Sequence, residues 1–224
     1  MEKEFFFKEK LHFGNTVIYK YTFGPLDTNC YLLENGGEWL AIDPSFFYPK
    51  EIRYITDVLD KEKVKLKYII NTHGHFDHIA GNKLLKLKYP HSKILIHTLD
   101  AGMLTSPAKN RSKEFGVIVE SPPPDILLKE NNTIEFGSET LTVLHIFGHT
   151  KGSIVLKGKE FIFSGDTIFA GTVGTAKEYK NAFQLMIKGI KEKILTLEDN
   201  TVILPGHFEN STIAEERKYN PFLQ

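Results

Sequence analysis

The chain lacks the residues that build disulfide frameworks and membrane anchors. Cys30 is the only cysteine among 224 residues, so no internal disulfide bond can form. We expect Cys30, which lies in an apolar strand-like segment, to be a small buried core residue and not a nucleophile or metal ligand. No hydrophobic run reaches the length needed to cross a bilayer, and the charged residues 1–4 differ from the start of a secretory signal. These shortages predict a cytoplasmic protein with no membrane partner.

A net charge of either sign is missing as well. Lysine and arginine together number 28, as do aspartate and glutamate, and only Arg53, Arg111 and Arg217 are arginines. A chain without net charge has no general electrostatic attraction to nucleic acid, so we expect no nucleic-acid partner and a small-molecule substrate. The composition carries no signature of a particular oligomeric state. The length fits a single domain over residues 1–224.

Hydrophobic periodicity gives the order of strands and helices. Predicted strands cover residues 16–23, 29–33, 39–42, 66–71, 94–97, 141–146, 153–156, 161–163 and 201–204. Predicted helices cover residues 49–60, 79–88 and 182–195 and a short C-terminal segment. Strands dominate both halves with helices between them, which favours two sheets with helices outside, a layered α/β arrangement. The irregular, proline-containing stretch 99–132 is a candidate substrate-side loop.

The densest chemical signal follows the predicted strand 66–71. Residues 73–78 place three imidazoles and one carboxylate in six positions, namely His73, His75, Asp77 and His78. Imidazole nitrogen and carboxylate oxygen suit zinc, iron and manganese. A solvated polar turn is the alternative, but so dense a polar run is costly to bury unless each group has a partner. The sequence therefore predicts a metal site at this strand end.

Three later loops bring one further donor each. His149, Asp166 and His207 each follow a predicted strand and come directly after a glycine. Glycine lets the backbone turn sharply, and strand ends aimed at one sheet edge are where α/β folds gather functional groups. A single loop histidine is more often solvated or hydrogen-bonded than a ligand. With the cluster, however, these residues make seven ligands, enough for two divalent ions that share Asp166 and leave room for a bridging hydroxide.

The remaining four histidines carry no such pattern. They stand in strand or loop contexts without ligand-type neighbours, so we expect none of them to bind metal. They are His12, His91, His97 and His145.

The motifs resemble the metallo-β-lactamase superfamily, whose His-x-His-x-Asp-His signature is met by residues 73–78. The likeness extends over nearly the whole chain and is strongest to single-domain glyoxalase II-like hydrolases. It is carried by residues 28–31, 42–44, 72–75, 148–153, 164–171 and 212–223. The fold implied by this resemblance is the αβ/βα sandwich, a four-layer α/β fold of two mixed β-sheets flanked by helices.

The resemblance also implies a role for each donor. The first metal would be held by His73, His75 and His149, the second by Asp77, His78 and His207, with Asp166 bridging. Asp77 and Asp166 would be the catalytic carboxylates, and the cofactors two divalent ions, zinc first, with iron or manganese as alternatives. Asp43, in an Asp-Pro turn, is implied to orient a ligand imidazole from outside the metal's ligand set. A turn-capping aspartate is the competing interpretation.

The sequence departs from its relatives near the expected substrate site. Lys177 and Tyr179 resemble a Lys-x-Tyr pair that contacts glutathione in two-domain glyoxalase II, although they lie two residues later, and they are candidate substrate residues. Lys151 stands where proline is usual, and Phe208 where glycine is usual. These changes leave the metal set intact and concern the substrate.

The expected activity is metal-dependent hydrolysis of a small acyl thioester such as S-lactoylglutathione. Two ions would lower the pKa of a shared water from about 16 to near neutrality, and a thiolate leaves without strong acid assistance. A mononuclear-iron persulfide dioxygenase is the second hypothesis, because such relatives share the same signature. A nuclease or lactonase of the superfamily and a metal-stabilised binding module are the remaining alternatives.

Overall fold

The computed structural model describes residues 6–177 and 179–224. The charged segment 1–4 and Glu178 therefore lie outside the described residues. A first, seven-stranded sheet is built from the N-terminal half. Its strands, in spatial as well as chain order, are β1 (Phe7–Phe13), β2 (Thr16–Phe23), β3 (Thr28–Asn35), β4 (Glu38–Ile42), β5 (Leu66–Ile70), β6 (Lys93–His97) and β7 (Ile126–Leu128). The first four pair antiparallel and the last four parallel, so the sheet is mixed.

A second, six-stranded sheet comes from the C-terminal half. Its spatial order is β15 (Ser211–Thr212), β14 (Val202–Pro205), β11 (Phe161–Gly165), β10 (Ile154–Lys157), β9 (Glu139–His145) and β8 (Thr133–Phe136). Only β11 and β14 pair parallel, so this sheet is mixed as well. A short ribbon of β12 (Ile168–Phe169) and β13 (Thr172–Val173) follows β11.

The helices are short and lie mostly between strands. They are α1 (Pro49–Lys61), α2 (Phe76–Ile79), α3 (Asn82–Lys88), α4 (Ala101–Leu104), α5 (Ala182–Gly189) and α6 (Ile213–Tyr219). A 3-10 turn covers Ser112–Phe115, and a π-helical turn over Ile190–Ile194 continues α5. Helix α1 starts at Pro49, whose fixed φ suits a first turn, and Glu51 accepts hydrogen bonds from the otherwise unpaired amides of Phe47 and Tyr48. No helix of the described residues is long and apolar enough to span a membrane.

Three apolar clusters define the layers. One joins the first sheet to α1 and α3, including Ile55 and Leu85. A second lies between the sheets and combines Leu33 of the first with Leu156 of the second. The third covers the outer face of the second sheet with α5 and α6. Helix, sheet, sheet and helix therefore follow one another, which confirms the predicted αβ/βα sandwich. The single-domain organisation over residues 1–224 stays a prediction.

Most predicted elements match an observed strand or helix, but the short strands β8, β12, β13 and β15 were not predicted, and three further differences concern β1, the helix 79–88 and the stretch 99–132. Strand β1 was not predicted, because the charged Glu9 interrupts its half-buried face, on which Phe7, Leu11 and Phe13 also lie. The predicted helix 79–88 is wrong in its extent, since the chain forms α2 and α3, separated near Gly81. The stretch 99–132 contains α4, the 3-10 turn and β7, so it is more regular than expected.

Candidate metal centre

All seven predicted ligands lie at strand exits on one edge of the two sheets. The first sheet supplies four of them, because β5 runs into a loop with His73 and His75, and α2 then carries Asp77 and His78. The second sheet supplies the other three through the loops after β9, β11 and β14, which carry His149, Asp166 and His207. The seven residues that follow predicted strands in the sequence therefore meet at one edge of the fold.

Three histidines form the first group of donors. His73 Nε2 lies 3.1 Å from His75 Nδ1, and His75 Nδ1 lies 2.9 Å from His149 Nε2. The three rings stand nearly perpendicular to one another, with interplanar angles of 85 to 90°. Three nitrogens therefore converge on one point from three directions.

The second group combines a carboxylate with two histidines. Asp77 Oδ2 lies 3.3 Å from His78 Nε2 and 3.5 Å from His207 Nε2. Asp166 stands between the groups, because its Oδ2 lies 3.3 Å from His149 Nε2 and 3.4 Å from His207 Nε2, while its Oδ1 lies 3.3 Å from His78 Nε2. One carboxylate thus faces donors of both groups.

The donor set fits divalent metal ions. Four ligands at about 2.0 to 2.1 Å from a tetrahedral ion lie about 3.3 Å from one another, which is close to the separations in both groups. His78 Nε2 and Asp166 Oδ1 are buried and have no hydrogen-bond partner among the described residues. Buried polar atoms without a partner are costly, and an ion between them would satisfy both. Three sets of donors in the described chain are close enough to hold an ion, and all of them draw on these seven residues.

Hydrogen bonds at the second ring nitrogen fix the orientation of four ligand imidazoles. His149 Nδ1 lies 2.9 Å from the carbonyl of Thr175, and His207 Nδ1 lies 3.1 Å from that of Leu26. A carbonyl only accepts, so each Nδ1 carries the proton and each Nε2 presents its lone pair to the centre. His78 Nδ1 faces Asp43, and His73 Nδ1 lies 3.2 Å from the Thr72 hydroxyl.

Asp43 lies behind His78 and hydrogen-bonds to it from the side away from the other donors. Its Oδ2 accepts from His78 Nδ1 at 2.9 Å and from the Thr72 hydroxyl at 2.6 Å, and its Oδ1 accepts from the Thr72 amide at 2.8 Å. The residue is buried at the end of β4 and has a φ of 47°, a left-handed conformation that aspartate tolerates better than most residues. Asp43 therefore orients His78 directly and His73 through Thr72.

Sequence reasoning missed two further supporting residues. Asp100 is buried and accepts hydrogen bonds from the Gly74 amide at 3.1 Å, the Thr150 hydroxyl at 2.6 Å and the Gly152 amide at 2.7 Å. It thereby joins the loop of His73 and His75 to the loop of His149. The hydroxyl of Thr28 donates to Asp77 Oδ2 at 2.7 Å. The signal for Asp100 was its position just after the predicted strand 94–97, the same place that marked the other donors.

Burial and neighbouring charge shift the pKa values of the donors in opposite directions. Burial lowers the pKa of His73 well below its ordinary value, so the ring is neutral and its lone pair is available. Burial also disfavours the charged form of His78, but Asp77, Asp166 and Asp43 outweigh it and raise the pKa well above the ordinary value. Burial likewise opposes ionisation of Asp166, yet the imidazoles of His78, His207 and His149 hold its pKa well below the ordinary value. Asp166 is therefore a carboxylate.

Two glycines of the strand exits are required for different reasons. Gly165 has a φ of +49°, so the sharp turn expected from sequence holds there. Gly206 has no such φ, but a Cβ at this position would lie 2.4 Å from Asp166 Oδ1 and 2.8 Å from His78 Cε1. The close approach of the backbone to the donors, and not a turn, requires glycine before His207.

A polar cleft opens beside the first group of donors. A cavity of about 440 Å³ is lined by His75, Arg111, Glu114, His149, Thr175 and Lys177. A smaller cavity of about 120 Å³ lies over both groups and shares His75, Arg111 and His149 with the first. The predicted substrate-side stretch 99–132 therefore does reach the site. It does so through Arg111, whose Nε and Nη2 donate to Glu114 Oε2 at 3.0 and 2.8 Å.

Arg111 is anchored to the metal-ligand segment by the residue before it. Asn110 is buried, its carbonyl accepts from the Phe76 amide at 3.0 Å, and its side chain bonds to Ser112 and Val119. Arg111 itself has a φ of 68°, a conformation that non-glycine residues rarely adopt. The loop thus holds Arg111 at the cleft by backbone contacts to α2.

The two candidate substrate residues lie in different surroundings. Lys177 lines the larger cavity. Tyr179 packs with its ring centroid 5.6 Å from that of Phe147, and Lys151 Nζ lies 4.7 Å above its ring. A substrate role for either residue stays a prediction.

The four histidines expected not to bind metal belong to none of the donor sets found within residues 6–177 and 179–224. Two of them meet across the sheets, since the rings of His97 and His145 stack at 4.1 Å. Cys30 is fully buried in the first apolar cluster, and burial raises the pKa of its thiol to about 12.

The sequence matches a known protein family and several curated proteins along most of its length. The family described as the metallo-beta-lactamase superfamily matches residues 23–207. The probable metallo-hydrolase YqgX of Bacillus subtilis is 30% identical over 204 residues, which cover 89% of this chain and 94% of that protein. The hydroxyacylglutathione hydrolase GloC of Haemophilus influenzae is 28% identical over 200 residues, covering 87% of this chain and 92% of the relative.

Two solved structures have the same fold as this chain. The B3 metallo-beta-lactamase BLEG-1 superimposes with a TM-score of 0.84 at 29% identity, over 92% of this chain and 99% of BLEG-1. TTHA1623 in a di-iron-bound form superimposes with a TM-score of 0.76 at 27% identity, over 91% of this chain and 99% of TTHA1623.

Proposed function

This chain belongs to the metallo-β-lactamase superfamily, and on that premise we propose that it is a binuclear metal-dependent hydrolase of small acyl thioesters. The observation that carries the proposal is the donor set: two groups of three ligand atoms share one carboxylate, Asp166, which faces donors of both. A site for a single ion needs only three or four ligands. Seven donors in contact favour two ions.

In this proposal each donor keeps the role implied by its neighbours. His73, His75 and His149 would hold the first ion, Asp77, His78 and His207 the second, and Asp166 both. Zinc suits a set rich in imidazole, and iron or manganese suit it as well. The di-iron form of TTHA1623 supports including iron among the candidates.

When bound, two such ions supply a water of near-neutral pKa and polarise the substrate carbonyl. The protein's contribution is orientation. Asp43 holds the His78 ring, Thr28 holds the Asp77 carboxylate, and Asp100 holds the backbone of Gly74 between two ligands. Each contact fixes a donor before substrate arrives, so no reorganisation is needed during the reaction.

The cleft supports a thioester as the substrate. Among the described residues that line the larger cavity, Glu114 is the only one with a carboxyl group, and it is paired with Arg111, so none of these residues offers an unpaired carboxylic acid to the leaving group. A thiolate with a parent pKa of about 8.5 leaves without one, unlike an alkoxide or an amine. The hydroxyacylglutathione hydrolase GloC among the relatives supports the same substrate class.

The cleft carries more positive than negative charge even though Glu114 is paired with Arg111, and this favours an anionic small molecule. Arg111 and Lys177 line a cavity of about 440 Å³ that adjoins His75 and His149. This volume lies within the range of about 300 to 1,000 Å³ that small-molecule sites occupy. S-lactoylglutathione, which carries carboxylates on its thiol part, is the representative substrate of this class.

One observation favours a second function, a mononuclear-iron persulfide dioxygenase. His73, His78 and Asp166 form a set of two histidines and one carboxylate. This is the ligand type of non-haem iron oxygenases. The second group of donors, Asp77, His78 and His207, argues against this dioxygenase, because a single iron would leave part of the buried donor set without an ion.

A substrate panel with metal analysis on the same preparation tests these alternatives. S-lactoylglutathione, a neutral thioester, a β-lactam and a phosphodiester would be assayed for hydrolysis, and a persulfide for oxygen consumption. We expect two ions per chain and thioester turnover above all other activities. One iron per chain with oxygen consumption would establish the dioxygenase instead, and faster cleavage of the β-lactam or phosphodiester would refute the thioester assignment. If the metal-loaded protein acted on none of these compounds, a metal-stabilised binding module without enzymatic activity would be the better interpretation.

A further inference from the structure

Lys20 is a buried lysine that takes no part in the proposed chemistry. It is only 1% exposed, although lysine is almost never fully buried unless it is paired. It lies in β2, opposite Tyr31 of β3 on one side and Glu9 of β1 on the other. Strand alternation puts Lys20 on the same face as Ile18, which belongs to the cluster between the sheets. The ammonium group therefore extends from the first sheet toward the second.

Both hydrogen-bond acceptors of Lys20 belong to the loop that carries His207. Lys20 Nζ donates to Asn210 Oδ1 at 2.8 Å and to the Phe208 carbonyl at 3.2 Å, and it lies 3.6 Å from Glu9 Oε1. Asn210 Nδ2 in turn donates to Glu9 Oε1 at 2.6 Å. The three side chains of Glu9, Lys20 and Asn210 thus form a closed network beside this loop.

Two neighbouring residues of strand β3 also hydrogen-bond to the backbone of this loop. The Tyr31 hydroxyl donates to the Pro205 carbonyl at 2.7 Å, and the Asn29 amide nitrogen donates to the Gly206 carbonyl at 2.7 Å. The Asn29 side chain donates to the carbonyls of Pro205 and Phe208, both at 2.9 Å. Donors from β2 and β3 therefore hold the backbone on both sides of His207.

The backbone directly after His207 is in an unfavourable conformation. Phe208 has a φ of 65°, in the left-handed region where a bulky side chain is strained. Its ring is mostly exposed, so little burial of its own offsets that strain. Its ring packs edge-on against Phe169 at 5.4 Å between centroids, and its carbonyl accepts two hydrogen bonds, from Lys20 and Asn29, which help to hold the turn in this conformation.

We propose that Lys20 is a positioning residue for the second metal ion, because it fixes the turn at Phe208 and Asn210 that presents His207 to the site. The inference rests on the binuclear site of the proposed function. His207 Nε2 lies 3.4 Å from Asp166 and 3.5 Å from Asp77, and it reaches these distances from a loop with no helix or strand of its own. Without the ammonium group, Asn210 Oδ1 loses its donor and the Phe208 carbonyl keeps only Asn29. The first ion, which has no ligand in this loop, is unaffected.

The test is a chelator titration of Lys20→Met, followed by metal analysis of the protein at each chelator concentration. Methionine preserves the length and burial of the side chain but removes the charge and the donors. We expect the second ion to be lost at a chelator concentration about tenfold below that of the wild type, the low end of the range for groups that support a ligand. The first ion should be released at the wild-type concentration. Lys10→Met, an exposed lysine on the adjoining strand β1, is the matched control and should leave both ions unchanged.

Tyr31→Phe provides a second variant if Lys20→Met does not fold. It removes only the hydroxyl bound to the Pro205 carbonyl and keeps the buried ring, and it should also weaken the second ion selectively. His207→Ala marks the one-ion state for comparison. Unchanged release of both ions from a folded Lys20→Met, or equal weakening of both, would overturn the positioning role while leaving the proposed function standing. A wild type that binds one ion would refute the binuclear site itself, and this inference with it.

Discussion

The Nδ1 of His78 donates to Oδ2 of Asp43 across 2.9 Å, and both groups are almost fully buried. Through this bond a residue at the end of β4 sets the ring orientation of a ligand on α2. The same carboxylate also accepts hydrogen bonds from the Thr72 hydroxyl and the Thr72 backbone amide. Protein groups therefore hydrogen-bond both of its oxygens. Asp43 is thereby a fixed reference point for the ligand cluster of the first sheet.

Replacing Asp43 by Asn should weaken metal binding without unfolding the chain. The amide keeps the size of the side chain but lacks the negative charge that favours the His78 Nδ1 proton, so we expect metal affinity to fall about ten- to a hundredfold. Calorimetric metal titration measures the change. Asp57→Asn on the exposed face of α1 is the matched control and should bind metal like the wild type. Equal affinity in both variants would contradict the role assigned to Asp43.

Replacing Asp166 by Ala should remove one ion per chain and nearly all turnover. Among the residues that the structure describes, Asp166 is the only carboxylate that faces donors of both groups, so its loss leaves the two ions without a shared ligand. We expect the rate to fall by about a thousandfold or more, since several kcal/mol of metal-supplied stabilisation disappear. Metal analysis and thioester turnover measure the two effects. Cys30→Ala, in the core and away from the donors, should keep both ions and most of the activity. An Asp166→Ala protein with two ions and normal rate would refute the bridging assignment.

Replacing Gly206 by Ala should damage the centre by steric contact alone. The new Cβ would lie 2.4 Å from Asp166 Oδ1, so either that carboxylate or the backbone before His207 must move. We expect metal affinity to fall about tenfold or more and stability by about 1 to 3 kcal/mol, as for other overpacked sites. Gly102→Ala is the control, because its Cβ would meet only the end of the Lys109 side chain, at 3.4 Å. Thermal unfolding and metal titration of the two variants separate this effect from a general loss of helix or loop stability.

Replacing His97 by Phe should make the free energy of unfolding depend less steeply on pH between pH 4 and 6.5. Burial beside His145 lowers the pKa of His97 to about 4 from an ordinary value of 6.5, so the folded chain favours the neutral ring. Stability from this group is fully present above pH 6.5 and is lost as the pH falls toward 4, because the unfolded chain binds the proton first. Phenylalanine keeps a stacked ring without titrating. Urea unfolding between pH 4 and 7.5 should show a shallower slope for His97→Phe, while the exposed His91→Phe should keep the wild-type slope.

Replacing Arg111 by Met should weaken the binding of anionic substrates and leave the binding of neutral substrates unchanged. Arg111 lines both cavities over the donors, and its charge should attract a carboxylate on the thiol part of the substrate. We expect KM for S-lactoylglutathione to rise about five- to tenfold, in keeping with a partly exposed charged contact, with kcat little changed. KM for a neutral thioester should stay constant. Arg53→Met on the surface of α1 is the control, and an equal KM rise for both thioesters would contradict the charge argument.

The clustering of the seven candidate ligands was predictable because their sequence signal is local. Each of the seven stands at the exit of an apolar strand, and the spacing of His73, His75, Asp77 and His78 is visible within six residues. The two-sheet layering followed from the same alternation of strands and helices. Local signals of this kind survive in a single sequence because strand ends gather at one sheet edge whatever the detailed topology.

The supporting residues were not predictable for the opposite reason. Asp100 matters because Gly74, Thr150 and Gly152 converge on it, and those residues come from two distant loops. Lys20 reads as an ordinary polar position in a strand, and only the fold brings Phe208 and Asn210 to its ammonium group. Roles that depend on contacts between residues 26 to 190 positions apart leave no pattern within a short window of the sequence.

Four ligands come from the first sheet and three from the second, so neither half of the chain contains a complete ion site. Donors from residue 73 to residue 207 come together only after the sheets have docked, and long-range contacts of this kind form late because loop closure must precede them. An ion that binds the docked state and not the separate halves shifts the docking equilibrium toward assembly. The fraction of assembled protein would then depend on the concentration of metal. Without metal, the chain would expose the apolar inner faces of its sheets for longer and would aggregate more readily.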